Sequence, residues 1–164
     1  LSYFNLLLNQ SSLVDTDYQK EISNWQGWLV EHQKNVRQAY SLEDLITLSQ
    51  QLDDIYPEIE RSIYSFLTNR VINKQQEISR QIKKISRQIA LETTNDDWQL
   101  EINKELKNME THWQEARNNL DRVRIIRPGM MRKNWNKVAE DLAMAQKSLL
   151  RAVEYLDEVI SQNE

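Results

Sequence analysis

The side chains best suited to acid–base or metal chemistry are two histidines, His32 and His112, and a few neighbouring carboxylates. Acid–base catalysis needs a second titratable group within hydrogen-bond reach, and a metal site needs several converging donors. Neither histidine has another histidine one helical turn away. No Glu-x-x-His pair occurs, so the carboxylate di-iron pattern of ferritin-like bundles is not expected. His32 falls on an apolar stripe, where a core or boundary side chain is expected, and His112 stands beside Trp113. Asp53 with Asp54, and Asp96 with Asp97, are adjacent pairs that a helix turns to different faces, so they suit exposed caps better than an acid–base couple. The chain has no cysteine, which excludes thiolate nucleophiles, disulfides and zinc-thiolate sites. It has no glycine-rich phosphate loop and no defensible Ser-His-Asp spacing. No catalytic, cofactor-binding or metal-ligating residue is therefore assigned. A non-enzymatic protein without a small-molecule substrate is expected.

The one stretch that suits recognition is basic and apolar at once. Arg122, Arg124, Ile125, Ile126, Arg127, Met130, Arg132 and Lys133 surround a Pro128-Gly129 pair. Apolar side chains ringed by arginine and lysine suit an acidic protein groove or an anionic membrane surface. Methionine adapts to varied partners. The competing structural role is for Ile125 and Ile126 to close the end of the core. Nucleic acid is disfavoured as a partner because no reading motif accompanies the charge.

These residues lie at the turn of the element that organises the chain. Apolar or small residues recur at Ile102, Leu106, Met109, Trp113, Ala116, Leu120 and Val123, then again at Met131, Trp135, Val138, Leu142, Ala145, Leu149, Ala152, Leu156 and Val159. Steps of four and three keep one stripe on one helix face. Pro128 cannot donate to a continuing helix, and Gly129 accepts backbone angles that other residues avoid. Residues 98–160 are thus predicted to form an antiparallel hairpin with its turn at 127–130. Counting from the turn sets Trp113 near Ala145, Ala116 near Leu142, Met109 near Leu149 and Leu106 near Ala152, mostly large against small.

Two further helices are predicted upstream. The first follows a cap at Ser12 or Asp15 and carries Tyr18, Ile22, Trp25, Leu29, His32 and Val36 on one stripe, with Trp28 at a half-buried edge. Ser41, followed by Glu43 and Asp44, caps the second, where the helix dipole favours carboxylates. Its stripe begins Leu45, Leu48, Leu52, Ile55 and Tyr56, passes Pro57 as a kink or close restart, and continues through Ile59, Ile63, Phe66 and Leu67 to about Glu92. A nearly doubled heptad places Ile78, Ile82, Ile85 and Ile89 on the expected core stripe. That doubled heptad is also able to pair with another chain.

Length and composition agree with this plan. The 164 residues suit a single domain, 1–164. Only two glycines and two prolines interrupt it, which favours helices over strands and turns. With 21 basic and 25 acidic residues the net charge of −4 implies no polyanionic partner overall. The charges are nevertheless segregated. Arg70, Lys74, Arg80, Lys83, Lys84 and Arg87 form a basic block, and Glu43, Asp44, Asp53, Asp54, Glu58 and Glu60 an acidic one. Glu154, Asp157 and Glu158 form a second acidic block, and basic blocks are expected to lie beside acidic ones on neighbouring helices. No apolar run approaches the roughly 20 residues that cross a bilayer. The apolar segment 1–14, which opens with Leu1 rather than methionine, is expected to pack on the bundle; the alternative is the outer end of a membrane segment upstream.

The expectation is an all-α, elongated, up-and-down antiparallel bundle of about four long helices with coiled-coil-like packing. Its function is expected to be that of a scaffold or adaptor. It would bind a protein partner through an exposed helix face or the basic tip, with homo-oligomerisation as an open possibility. The alternatives are an extracytoplasmic sensor module between membrane segments and a membrane-surface or nucleic-acid binder acting through the tip. Compartment is not fixed by the sequence, with a slight lean to the cytoplasm.

Overall fold

A computed structural model of the chain describes residues 16–90, 97–122 and 131–163. The regular structure among them is entirely α-helical: α1 (Thr16–Gln38), α2 (Leu42–Ala90), α3 (Asp97–Arg122) and α4 (Met131–Asn163). The apolar segment 1–14 and the predicted turn at 127–130 lie outside the described residues.

The second helix is the spine. Its 49 residues extend about 73 Å at 1.5 Å per residue. It starts where the sequence predicts, in a reciprocal capping box. The Asp44 amide donates to Ser41 Oγ at 3.0 Å, and the Ser41 amide donates to Asp44 Oδ2 at 3.1 Å. The side-chain bond from Ser41 holds the Asp44 carboxyl below its ordinary pKa, because it favours the charged form. Pro57 lies inside the helix rather than at a break in it. The proline removes the amide that would bond the Asp53 carbonyl. The turns on either side are held by packing: Ile59 is buried against α1, and Ile55 is partly buried there.

Two separate cores share this spine. Ile22 of α1 with Ile59 and Phe66 of α2 form a small one, edged by Trp25, Trp28 and Leu29. The larger joins Ile72 and Ile82 of α2 to the stripes of α3 and α4 from Ile102 to Leu120 and from Val138 to Leu156. The spine thus carries a three-helix bundle on its C-terminal half and a two-helix arm, α1 against α2, on its N-terminal half. Polar contacts also tie α1 to α2 within the arm: Trp25 Nε1 donates to Ser62 Oγ at 2.9 Å, and Ser62 donates to Glu21 Oε1 at 2.6 Å.

The hairpin register agrees with the counted one. Asn119 meets Asp141, and Glu105 meets Arg151, which brackets the predicted pairing of Trp113 with Ala145 and Met109 with Leu149 to within half a turn. Every predicted stripe residue from Ile102 to Leu120 is buried, as is every one from Val138 to Val159. The spine differs. Its core positions include Thr68, Ile72, Gln75, Ser79 and Ile82, whereas Ile78 and Ile85 are more than one-third exposed. The reason lies opposite. Gln75 accepts a hydrogen bond from Trp113 Nε1 and donates to the Leu142 carbonyl at 3.3 Å and Gln146 Oε1 at 3.1 Å. One buried carboxamide therefore ties three helices together, and the small Ser79 faces the core where an isoleucine was expected.

Candidate functional site

The isoleucines displaced from the core define the most distinctive surface. Lys83 bonds Glu110 of α3 at 3.1 Å, which marks the flank of α2 that faces α3. Val71, Ile78 and Ile85 recur every seventh residue on the other flank, and all three are exposed. On α4, Asp141 and Arg151 mark the flank that faces α3. Leu150, Val153 and Ile160 occupy the opposite one, toward α2, and are likewise exposed. Since Gln75 and Gln146 join α2 to α4, these six aliphatic side chains line the outer seam between two parallel helices. The seam covers two heptads of α2, about 21 Å. Lys74 borders it on α2, and Glu154 with Asp157 border α4, all three exposed.

A second apolar surface closes the arm. Tyr40 is 98% exposed and Leu42 74%, with Val36, Leu45 and Ile46 also open. Burial fades toward this end because, among the described residues, no third helix covers the stripes of these two. Of the first helix's predicted stripe, Ile22 and His32 are buried, and the His32 ring stacks on Trp28 with centroids 4.6 Å apart and planes 14° apart. Trp28 itself is half-buried, as its edge position predicts.

Polar clusters complete the inventory. His112 Nδ1 lies 3.0 Å from Glu115 Oε2, and Asp141 of α4 brings a third donor, so that one ligand atom from each lies within 4.8 Å of the others. A notch of about 370 Å³ opens where arm and bundle meet, with Glu21, Glu58, Arg61, Arg117 and Asp121 in its walls. Its charges are of both signs, and Arg61 is engaged by Glu58 at 3.6 Å. Ion pairs run mainly along single helices, as in Lys34–Glu31, Arg80–Glu77 and Lys104–Glu101. Lys83 of the basic block turns to Glu110 of α3, not to the acidic block of α4 as the charge pattern suggested. Neighbouring Glu101 raises the pKa of Lys104, chiefly through its side-chain hydrogen bond.

Of the residues expected at the basic tip, Arg122 ends α3 and is exposed. Arg124, Ile125, Ile126, Arg127 and Met130 lie outside the described residues, and Arg132 and Lys133 fall in the first turn of α4, where only the backbone is described. The α2–α4 seam is what sequence reasoning missed. The doubled heptad gave its signal, but as core. Among the described residues no helix is long and apolar enough to cross a membrane. No protein-family model, curated protein or solved structure matches the chain.

Proposed function

We propose that the chain is a non-enzymatic helical scaffold that receives one amphipathic helix of a partner protein in the seam between α2 and α4. The observation that carries this reading is the heptad-spaced row Val71, Ile78 and Ile85, exposed beside Leu150, Val153 and Ile160. A three-helix bundle with an open apolar seam has the outline of a four-helix bundle lacking one member, and a helix laid in such a groove buries i, i+3, i+4 and i+7 anchors. The borders specify the occupant. Lys74 favours an acidic edge on the side of α2, and Glu154 with Asp157 favour a basic edge on the side of α4.

The test uses a synthetic amphipathic peptide of about five turns with leucines at heptad spacing, acidic residues along one edge and basic residues along the other. A second peptide has the two edges exchanged. Saturable binding of the first, weakened more than tenfold by Ile78→Asp with Leu150→Asp at unchanged helicity, supports the proposal. Equal binding to the variant, equal binding of both peptides, or no binding refutes it. Sedimentation of the chain alone should show a monomer. A dimer that the same two substitutions dissociate would replace the partner helix with self-association and overturn the proposal.

A further inference from the structure

The opposite seam, between α3 and α4, holds the one group of donors among the described residues whose types and spacing suit a metal ion. His112 and Glu115 stand three residues apart, so one turn of α3 presents both on the same face. Asp141 enters from α4. The nitrogen and oxygen of the first two are 3.0 Å apart, and all three donor atoms lie within 4.8 Å of one another. Zinc bonds imidazole nitrogen and carboxylate oxygen at about 2.0–2.2 Å. Two ligands of a tetrahedral ion therefore sit about 3.4 Å apart. The His112–Glu115 pair already lies near that separation, and a carboxylate oxygen of Asp141 lies within 4.8 Å of both.

Two of the three donors are partly buried, and the third, Glu115, is 51% exposed at its side chain. His112 is only 24% exposed at its side chain. Asp141 is half-buried and is oriented by Asn119, whose Nδ2 donates to its Oδ2 at 2.7 Å. An amide that fixes a ligating carboxylate is the usual outer support of a metal ligand. One nitrogen and two carboxylates form a mixed donor set that suits a divalent transition ion better than magnesium or calcium, which prefer oxygen alone. Three protein donors leave a fourth position of a tetrahedral ion for water.

We infer that His112, Glu115 and Asp141 bind one divalent transition-metal ion, with Zn²⁺ as the probe, and that the ion staples α3 to α4 across their shared seam. This site shares no residue with the seam proposed for a partner helix, so each proposal can fail without the other.

The experiment is a calorimetric titration of the full chain with ZnCl₂, with thermal melting in parallel. One Zn²⁺ per chain is expected, with a rise in melting temperature. His112→Ala and Asp141→Asn should each weaken binding more than about tenfold, and Asn119→Ala should weaken it about 10–100-fold through the orientation of Asp141. The melting temperatures of the metal-free variants report whether each still folds. Co²⁺ in place of Zn²⁺ should give visible absorption bands that His112→Ala removes. Absence of saturable binding, or binding that survives both His112→Ala and Asp141→Asn, overturns the inference and leaves His112–Glu115 as a hydrogen-bonded pair only.

Discussion

Replacing Gln75 with leucine tests the interior most sharply, because this one carboxamide joins α2, α3 and α4. Gln75 is 3% exposed and accepts from Trp113 Nε1 while donating to the Leu142 carbonyl and Gln146 Oε1. Leucine nearly conserves the volume, so the cavity term is small. Gln146 is exposed and can return to water, and the Leu142 carbonyl keeps its place in the helical ladder. The indole N–H of Trp113 has no such recourse, since Trp113 is 6% exposed. An orphaned buried donor costs about 1–3 kcal/mol. Gains from the added apolar surface, about 1 kcal/mol, offset part of it. The net expectation is a loss of roughly 1–2 kcal/mol. Trp113→Phe leaves the Gln75 oxygen unpaired and costs a similar amount plus lost volume. The double variant has neither orphan. Its destabilisation should fall short of the sum by about 1–2 kcal/mol, a coupling of the size found for contacting residues. Urea unfolding followed by far-ultraviolet circular dichroism measures it, with each single change lowering the midpoint by roughly 0.5–1 M at constant slope. Additivity within about 0.5 kcal/mol would refute the contact and with it the three-helix register.

Gly27 is exposed in the middle of α1, and a Cβ there meets no atom within 4 Å, so Gly27→Ala should stabilise by about 1 kcal/mol in the same assay. Ser41→Ala should remove the start of the spine and cost about 0.5–2 kcal/mol. Because the Asp44 pKa is lower folded than unfolded, the bond to Ser41 contributes fully above the ordinary aspartate value of about 3.9. That contribution is lost as pH falls through the depressed folded value. Carbon-detected NMR titration of Asp44 should show its pKa return toward the ordinary value in Ser41→Ala. Glu105 is 5% exposed, one oxygen has no hydrogen-bond partner, and the other lies 3.7 Å from Arg151 Nη1. Glu105→Met should therefore be neutral or stabilising by up to about 2 kcal/mol on denaturation, since it removes a poorly compensated charge and leaves a half-exposed arginine in water.

The hairpin was legible because its two stripes hold a strict four–three alternation and meet large against small, so the register follows from counting. The same register, which pairs Ala116 with Leu142, also sets Glu115 beside Asp141. The carboxylate pair near His112 was thus within reach of the sequence, but it comes from two helices and leaves no local spacing to mark it. The spine was read differently because isoleucine is the stronger apolar signal. On apolarity alone Ile78 and Ile85 outrank Ser79 and Gln75. Packing reverses the order: the Trp113 indole needs an acceptor and little bulk opposite it, and Gln75 with Ser79 supply both. The all-α bundle of four long helices was legible throughout, but the division into bundle and arm was not, because the stripes of α1 and α2 carry the same period whether or not a third helix covers them. Periodicity reports which face is apolar, not whether anything lies against it. Of the kink and the restart expected at Pro57, the structure excludes the restart: the proline lies inside one helix whose neighbouring residues pack on α1.

A single rod, α2, serves both bundle and arm. The chain has no cysteine, so Gln51→Cys with Arg87→Cys gives two unique sites for spin labels, both exposed on that helix. They stand ten turns apart on the same face, and a continuous helix separates them by about 54 Å. A narrow distance distribution centred there, measured by pulsed electron paramagnetic resonance, is the predicted result. A broad distribution, or one shorter by about 10 Å or more, would mean that the helix breaks at Pro57 and would contradict the shared spine.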